Sequence, residues 1–312
     1  MISDRVFVQE VAPRDGLQIE PRLLPTRDKV ALIDALSRTG VAKIEVTSFV
    51  SPKAIPNLAD AKEVAGQIKR NPAVTYVALV PNLRGAEDAI AARMDELNLV
   101  MSASETHNRA NMRMSRETSL EGFRRIAEAY KSFDVRLHGT VATAFGCPFE
   151  GPIAAAEVIE IIERYLDLGF SGVTLADTTG MANPRQVARL TAEVFRAFGP
   201  IEMTLHFHDT RGMGLANVVA ALDAGARRFD ASLGGLGGCP FAPGATGNIC
   251  TEDLVHMLHE MGVETGVDLP ALIELSGVLP DLLGHETPGQ IVKAGRVCDL
   301  HEPPKSLAEA MA

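Results

Sequence analysis

Two histidines stand two residues apart in Leu205-His-Phe-His-Asp209, at the end of a mostly apolar run from Ile201 to Phe207. Side chains at i and i+2 of a strand share a face, so His206 and His208 would project into one space. Imidazole is a common transition-metal ligand, and a pair on one strand supplies two donors at a fixed separation. An isolated His-x-His also fits ordinary core or surface histidines. Its meaning depends on what the chain places beside it.

The elements that must position this pair follow a regular alternation. Short β-branched or apolar runs occur at Val6 to Val11, Lys43 to Thr47, Thr75 to Val80, Glu96 to Met101, Val135 to Val141, Gly172 to Ala176, Met203 to Phe207 and Arg228 to Ser232. Such runs read as strands. Between and after them lie amphipathic helical stretches: Arg27 to Arg38, Leu58 to Arg70, Leu83 to Arg93, Leu120 to Ser132, Ala154 to Leu168, Pro184 to Phe198, Gly214 to Ala224 and Glu252 to Met261. Thr26, Asn183 and Thr251 fit as N-caps, and Gly40, Gly169, Gly225 and Gly262 as C-terminal stops. Eight strand-helix units describe a (β/α)8 TIM barrel better than an open doubly wound sheet. We expect a catalytic barrel over residues 1–266 and a C-terminal helical extension over 267–312, broken by Pro270, Pro280, Pro288 and Pro303-Pro304.

Chemistry in this fold sits where strands end, so polar residues there carry most weight. Arg14 and Asp15 follow the first strand, Glu45 lies in the second, and Asp177 ends the sixth. A glycine-rich segment from Gly234 to Asn248 follows the eighth. Asp15 and Asn248 would join His206 and His208 at one barrel mouth. Two oxygen donors and two imidazoles leave two octahedral positions for substrate, a set suited to Mg2+ or Mn2+, with Zn2+ or Co2+ also accommodated. Arg14 would set a permanent cation beside the bound substrate. Glu45 and Asp177 fit support of the histidines or Arg14 by hydrogen bonds better than direct proton transfer. A thiol over the mouth would serve as a general acid. Cys239 in Gly-Gly-Cys-Pro and Cys147 in Phe-Gly-Cys-Pro both qualify, and spacing does not choose between them.

Composition narrows the partners. The 312 residues contain no Trp, are 5% aromatic and carry a formal charge of −10, which argues against a general nucleic-acid or membrane-surface binder. The N-terminus lacks a basic-then-apolar leader, and no apolar stretch approaches the roughly 18 residues of a membrane span, so a cytoplasmic location is expected. Four widely spaced cysteines without Cys-x-x-Cys indicate neither a disulfide framework nor a structural zinc site. The glycine-rich segment lacks the nucleotide-phosphate fingerprints. A homodimer is the expected assembly.

Ala12-Pro-Arg-Asp-Gly-Leu-Gln18, Glu45-Val-Thr-Ser-Phe-Val-Ser-Pro-Lys53, Gly146-Cys-Pro-Phe-Glu-Gly151, Leu205-His-Phe-His-Asp-Thr210 and Gly234 to Asn248 resemble the 3-hydroxy-3-methylglutaryl-CoA lyase family. The resemblance runs from about Val6 to Gly266, and the Gly-Gly-Cys-Pro loop separates it from related Claisen-type synthases and aldolases. It implies retro-Claisen cleavage of the acyl-CoA to acetyl-CoA and acetoacetate. Asp15, His206, His208 and Asn248 would hold the divalent cation, Arg14 would stabilise the enolate, and Cys239 would be the loop acid. The segment Ser102 to Ser115 departs from the family's Lys-Asn-Ile-Asn-Cys-Ser ending, though Asn111 is retained. Loops at this face contact substrate, so the departure leaves a related 3-hydroxyacyl-CoA, or a synthase or aldolase reaction, as the alternative. Asn111 and Arg109 are the expected coenzyme A contacts; for His107 and Arg109 a solvated loop position is the other reading.

Overall fold

The computed structural model describes residues 5–238 and 247–301. Eight parallel strands close in chain order: β1 (Phe7–Glu10), β2 (Lys43–Ser48), β3 (Thr75–Leu79), β4 (Glu96–Ser102), β5 (Arg136–Ala142), β6 (Gly172–Asp177), β7 (Glu202–Phe207) and β8 (Arg228–Ala231). Closure comes from β1 against β8, with Phe7 opposite Arg228 and Glu10 opposite Ala231. The helices are α1 (Thr26–Leu36), α2 (Ala61–Gln67), α3 (Leu83–Ala91), α4 (Glu105–Met112), α5 (Arg116–Tyr130), α6 (Ala155–Asp167), α7 (Pro184–Phe198), α8 (Gly214–Asp223) and α9 (Thr251–Glu260), followed by α10 (Leu269–Gly277), α11 (Leu279–Leu283) and α12 (Ile291–Ala294). The chain is a (β/α)8 TIM barrel with a helical C-terminal region.

Alternation along the strands sorts the side chains. Ile44, Val46, Leu97, Leu99, Val173, Leu175, Met203 and Leu205 are buried in the apolar layer with helix residues such as Val187, Leu190 and Val194. The opposite set is polar. Gln9, Lys43, Glu45, Glu96, Asn98, His138, Thr174 and Asp230 surround a cavity of about 30 Å3 inside the barrel, room for about one water molecule.

Buried polar groups need partners, and here they find one another. Gln9 Nε2 donates to Thr204 Oγ1 at 2.7 Å, and Asn98 Nδ2 donates to Glu45 Oε1 at 2.9 Å. At the end where the strands begin, Lys43 Nζ lies 2.8 Å from Glu96 and 2.7 Å from Glu202. Glu96, His138 and Glu202 have the donor types of a metal cluster, with ligand atoms within 4.8 Å of one another, but the two carboxylates already pair with the Lys43 ammonium, and Glu96 also with Arg136.

Several local boundaries differ from the sequence reading. The segment Ser102 to Ser115, read as a loop, contains α4, because Ser104 caps it through His107 N and Arg113 ends it at φ 57°. Thr26 and Thr251 are not N-caps: each is the first helical residue, and its hydroxyl donates instead to Asp60 and Glu10 respectively. Asn183 does cap α7, accepting from Gln186 N.

Glu10 ties three segments at the catalytic end. Its Oε1 accepts from Ala12 N at 2.8 Å and Leu233 N at 3.0 Å, while Oε2 accepts from Thr251 Oγ1 at 2.8 Å. Burial pushes its pKa up to about 7, against the lowering effect of those hydrogen bonds. The folded protein therefore holds this proton after the unfolded chain has lost it, a stabilising contribution present below about pH 4.5 and lost as pH rises through 7. Glu10→Gln keeps a carbonyl acceptor without the titration. Unfolding free energy measured from pH 4.5 to 8 should fall less steeply in this variant than in the parent, by an amount on the order of 3 kcal/mol. Parallel pH profiles would rule this account out.

Candidate active site

The site begins with the chain leaving β1. Arg14 N, Asp15 N and Gly16 N all donate to Val11 O, at 3.1, 2.8 and 3.3 Å, forming a tight π-helical turn over Ala12–Gly16. This turn sets Arg14 and Asp15 side by side. Arg14 Nη1 bonds Asp15 Oδ1 at 2.6 Å, and Arg14 Nε bonds Glu45 Oε2 at 2.6 Å. Gln18 Nε2 adds a second donor to Asp15 Oδ1 at 2.9 Å, leaving Oδ2 turned to the histidines.

From β7, His206 and His208 face the same space, their Nε2 atoms 3.1 Å apart. Each Nε2 lies 4.0 Å from Asp15 Oδ2. Asn248, bridged to His208 through the backbone, donates Nδ2 to Asp15 Oδ2 at 2.7 Å and to Leu236 O at 2.9 Å. Gly237, at φ 88°, permits this closeness: a Cβ there would stand 2.6 Å from Asp15 O and 2.9 Å from Asn248 Nδ2. The structure thus brings together Asp15, His206, His208 and Asn248 from three separate segments.

These four residues fit a divalent cation. Asp15, His206 and His208 each offer a donor atom within 4.8 Å of the others. Adjacent ligands of a small octahedral ion stand about 3 Å apart, the spacing of the two Nε2 atoms. Asn248 Oδ1 is buried without a hydrogen-bond partner among the described residues, as a fourth ligand, the second oxygen, would be. Burial raises Asp15, yet Arg14, both histidines and Asn248 together hold its carboxyl well below the usual range. Burial pushes His208 down to about 3, so its imidazole stays neutral, the form a ligand requires.

Glu45 holds Arg14 and accepts from Asn98; burial raises its pKa despite the guanidinium. Burial opposes the Arg14 charge, and Glu45 and Asp15 more than offset that. Asp177 holds neither Arg14 nor a histidine by hydrogen bond: Oδ1 accepts from Met181 N at 2.7 Å and Ala182 N at 3.0 Å. Its buried Oδ2 has no partner among the described residues, and burial pushes its pKa up to about 6. Arg109 and Asn111 are exposed on α4, Arg109 paired with Glu105 at 2.7 Å. His107 is no solvated loop residue; its ring is buried and its Nδ1 lies 2.7 Å from Ser102 Oγ. Cys239 lies outside the described residues. Cys147 is fully buried, with its thiol donating to Ser104 Oγ at 3.0 Å.

Sequence reasoning missed Asp230, whose Oδ2 lies 3.1 Å from His206 Nδ1. The available signal was its inward position on β8, in register with His206 on β7.

Comparisons with known proteins agree on the whole barrel. The family model HMGL-like matches residues 5–279. The Bacillus subtilis protein named hydroxymethylglutaryl-CoA lyase YngG is 44% identical over 286 residues, covering 92% of this chain and 96% of that protein. A Chloroflexus aurantiacus protein named (R)-citramalyl-CoA lyase is 43% identical over 304 residues, with 94% and 96% covered. The solved structure of an HMG-CoA lyase from A. baumannii, in complex with coenzyme A and 3-methylmalate, is 59% identical with a TM-score of 0.95, covering 97% of this chain and 99% of that one.

The role of Asn248 can be measured apart from turnover. Asn248→Ala removes the partnerless oxygen and the donor to Asp15, and should weaken Mn2+ binding at least tenfold, read as free Mn2+ by electron paramagnetic resonance. Undiminished binding would exclude it from the ligand set.

Proposed function

Because the chain belongs to the HMGL-like family, we propose that it cleaves 3-hydroxy-3-methylglutaryl-CoA to acetyl-CoA and acetoacetate by a divalent-cation-dependent retro-Claisen reaction. The observation that carries this reading is the convergence of Asp15, His206, His208 and Asn248 beside a guanidinium clamped between two carboxylates.

A divalent cation held by those four residues supplies Lewis acidity, lowering the pKa of the substrate's tertiary hydroxyl and polarising the developing ketone. Mg2+ or Mn2+ suits the donors, and Zn2+ or Co2+ is accommodated. Arg14 offsets the negative charge that collects on the thioester oxygen as the C2–C3 bond breaks. Glu45 and Asp15 fix its guanidinium beforehand, so no reorientation is needed during the reaction. Asp177, with a bare oxygen and a pKa raised by burial to about 6, is suited to take the hydroxyl proton. The C3 hydroxyl carbon becomes the ketone of acetoacetate, and the C2 electron pair passes to the thioester enolate. Cys239 returns a proton to C2, giving acetyl-CoA; the engagement of Cys147 with Ser104 favours Cys239 for this role. Asn111 and Arg109 on α4 are the proposed coenzyme A contacts.

The reading includes a catalytic unit over residues 1–266, a C-terminal helical extension over 267–312, a cytoplasmic location and a homodimer. Among the described residues no helix is long and apolar enough to cross a membrane.

A related 3-hydroxyacyl-CoA is the second reading, favoured by the similarity to the protein named (R)-citramalyl-CoA lyase and by the altered segment around α4. The Mn2+-loaded protein should release acetoacetate from 3-hydroxy-3-methylglutaryl-CoA; pyruvate from citramalyl-CoA without acetoacetate would select the second reading. Two variants probe the roles. Arg14→Lys replaces a planar fork by a point charge and should lower kcat about 100-fold. Cys239→Ser should cost about 100-fold or more in kcat, and unchanged turnover would assign protonation to another group.

A further inference from the structure

The two imidazoles at the site are supported unequally. His206 Nδ1 meets Asp230 Oδ2 at 3.1 Å, whereas His208 Nδ1 is buried with no hydrogen-bond partner among the described residues. Both rings are buried, so each ring's tautomer is set by these neighbours rather than by bulk water.

We propose that Asp230 is a positioning residue for the divalent-cation site, holding the proton of His206 on Nδ1 so that Nε2 is a bare, correctly aimed donor before any ion arrives. The inference rests on the reading of His206 as a cation ligand. A carboxylate that accepts from the rear nitrogen of a ligating histidine fixes the ring's orientation and raises the basicity of the front nitrogen. The register of the barrel supplies the geometry: Asp230 is the β8 neighbour of His206, so the carboxylate stands on a strand rather than on a loop.

The arrangement has a second consequence at the 3.1 Å contact between the Nε2 atoms. With His206 Nε2 bare, this contact is a hydrogen bond only if His208 carries its proton on Nε2 and donates it. His208 must then carry its proton on Nδ1 instead, leaving Nε2 bare, before it can ligate through Nε2. His206 is thus the preset ligand and His208 the one that rearranges.

Nitrogen NMR of the metal-free protein with 15N-labelled histidine reads the tautomers directly. His206 should be in the Nδ1–H form and His208 in the Nε2–H form. Asp230→Ala should give a mixed His206 tautomer and weaken Mn2+ binding 10- to 100-fold. Asp230→Asn keeps an oxygen acceptor without charge, so it should retain the tautomer, fall between in affinity, and recover kcat at saturating Mn2+. A purely structural role would not produce this recovery, or a tautomer change in a variant whose melting temperature is unchanged.

Asp15→Ala serves as the control for the underlying site. If Asp15→Ala loses Mn2+ binding while Asp230→Ala matches the parent in affinity and tautomer, the proposal for Asp230 is overturned and the cation site stands. If Asp15→Ala binds Mn2+ as the parent does, the cation reading and the Asp230 proposal fail together.

Discussion

Closure of the barrel between β1 and β8 is the constraint on which the site depends. Asp15 and Asn248 are 233 positions apart in the chain, yet a 2.7 Å hydrogen bond joins their side chains. No local interaction could hold them, because a loop of that length carries a large entropic cost of closure. The cost is met collectively by a ring of parallel strands, each hydrogen-bonded to two neighbours. Glu10 then fastens the exits of β1 and β8 and the start of α9 to one carboxylate, so the parts bearing Asp15 and flanking Asn248 share an anchor.

The same ring forces a choice about what fills its interior. Barrels of this fold are commonly packed with branched apolar side chains. This one carries carboxylates, amides, imidazoles and ammonium inside, and each adds a desolvation cost that pairing must offset. The shifts in ionisation follow from how well that pairing succeeds. Asp15 meets a guanidinium, two imidazoles and an amide, and stays ionised in spite of burial. Among the described residues Asp177 has only backbone amides as hydrogen-bond partners, both on one oxygen, and burial prevails over them. Two carboxylates at one mouth thereby acquire different protonation behaviour, the condition for dividing binding from proton transfer.

The architecture was legible in the sequence because strand and helix periods differ and repeat eight times. Each of the eight expected runs overlaps an observed strand, with ends that differ by no more than a residue, and the glycines at positions 40, 169, 225 and 262 do adopt positive φ. What escaped was local competition for hydrogen bonds. Thr26 and Thr251 have cap-forming hydroxyls, but long-range carboxylates claim them. The α4 segment is polar all round and too short for periodicity to register, so its Ser104 cap was the only cue. The grouping of Asp15, His206, His208 and Asn248 could be assembled from strand ends and the segments after them, whereas Asp230 could not, because its contact with His206 lies in a cross-strand register that no single segment displays.

The Lys43 cluster at the opposite end gives the molecule a polarity of another kind. Strand β7 contributes Glu202 to one three-donor group and His206 to the other, so both belong to one framework. In the first, the positive charge is covalent, delivered in fixed stoichiometry whenever the chain folds. In the second, the Arg14 guanidinium supplies one such charge to Asp15, and the proposed divalent cation would have to be drawn from solution. On that proposal the supply of ions would act on one mouth of the barrel alone, because the other carries its own ammonium.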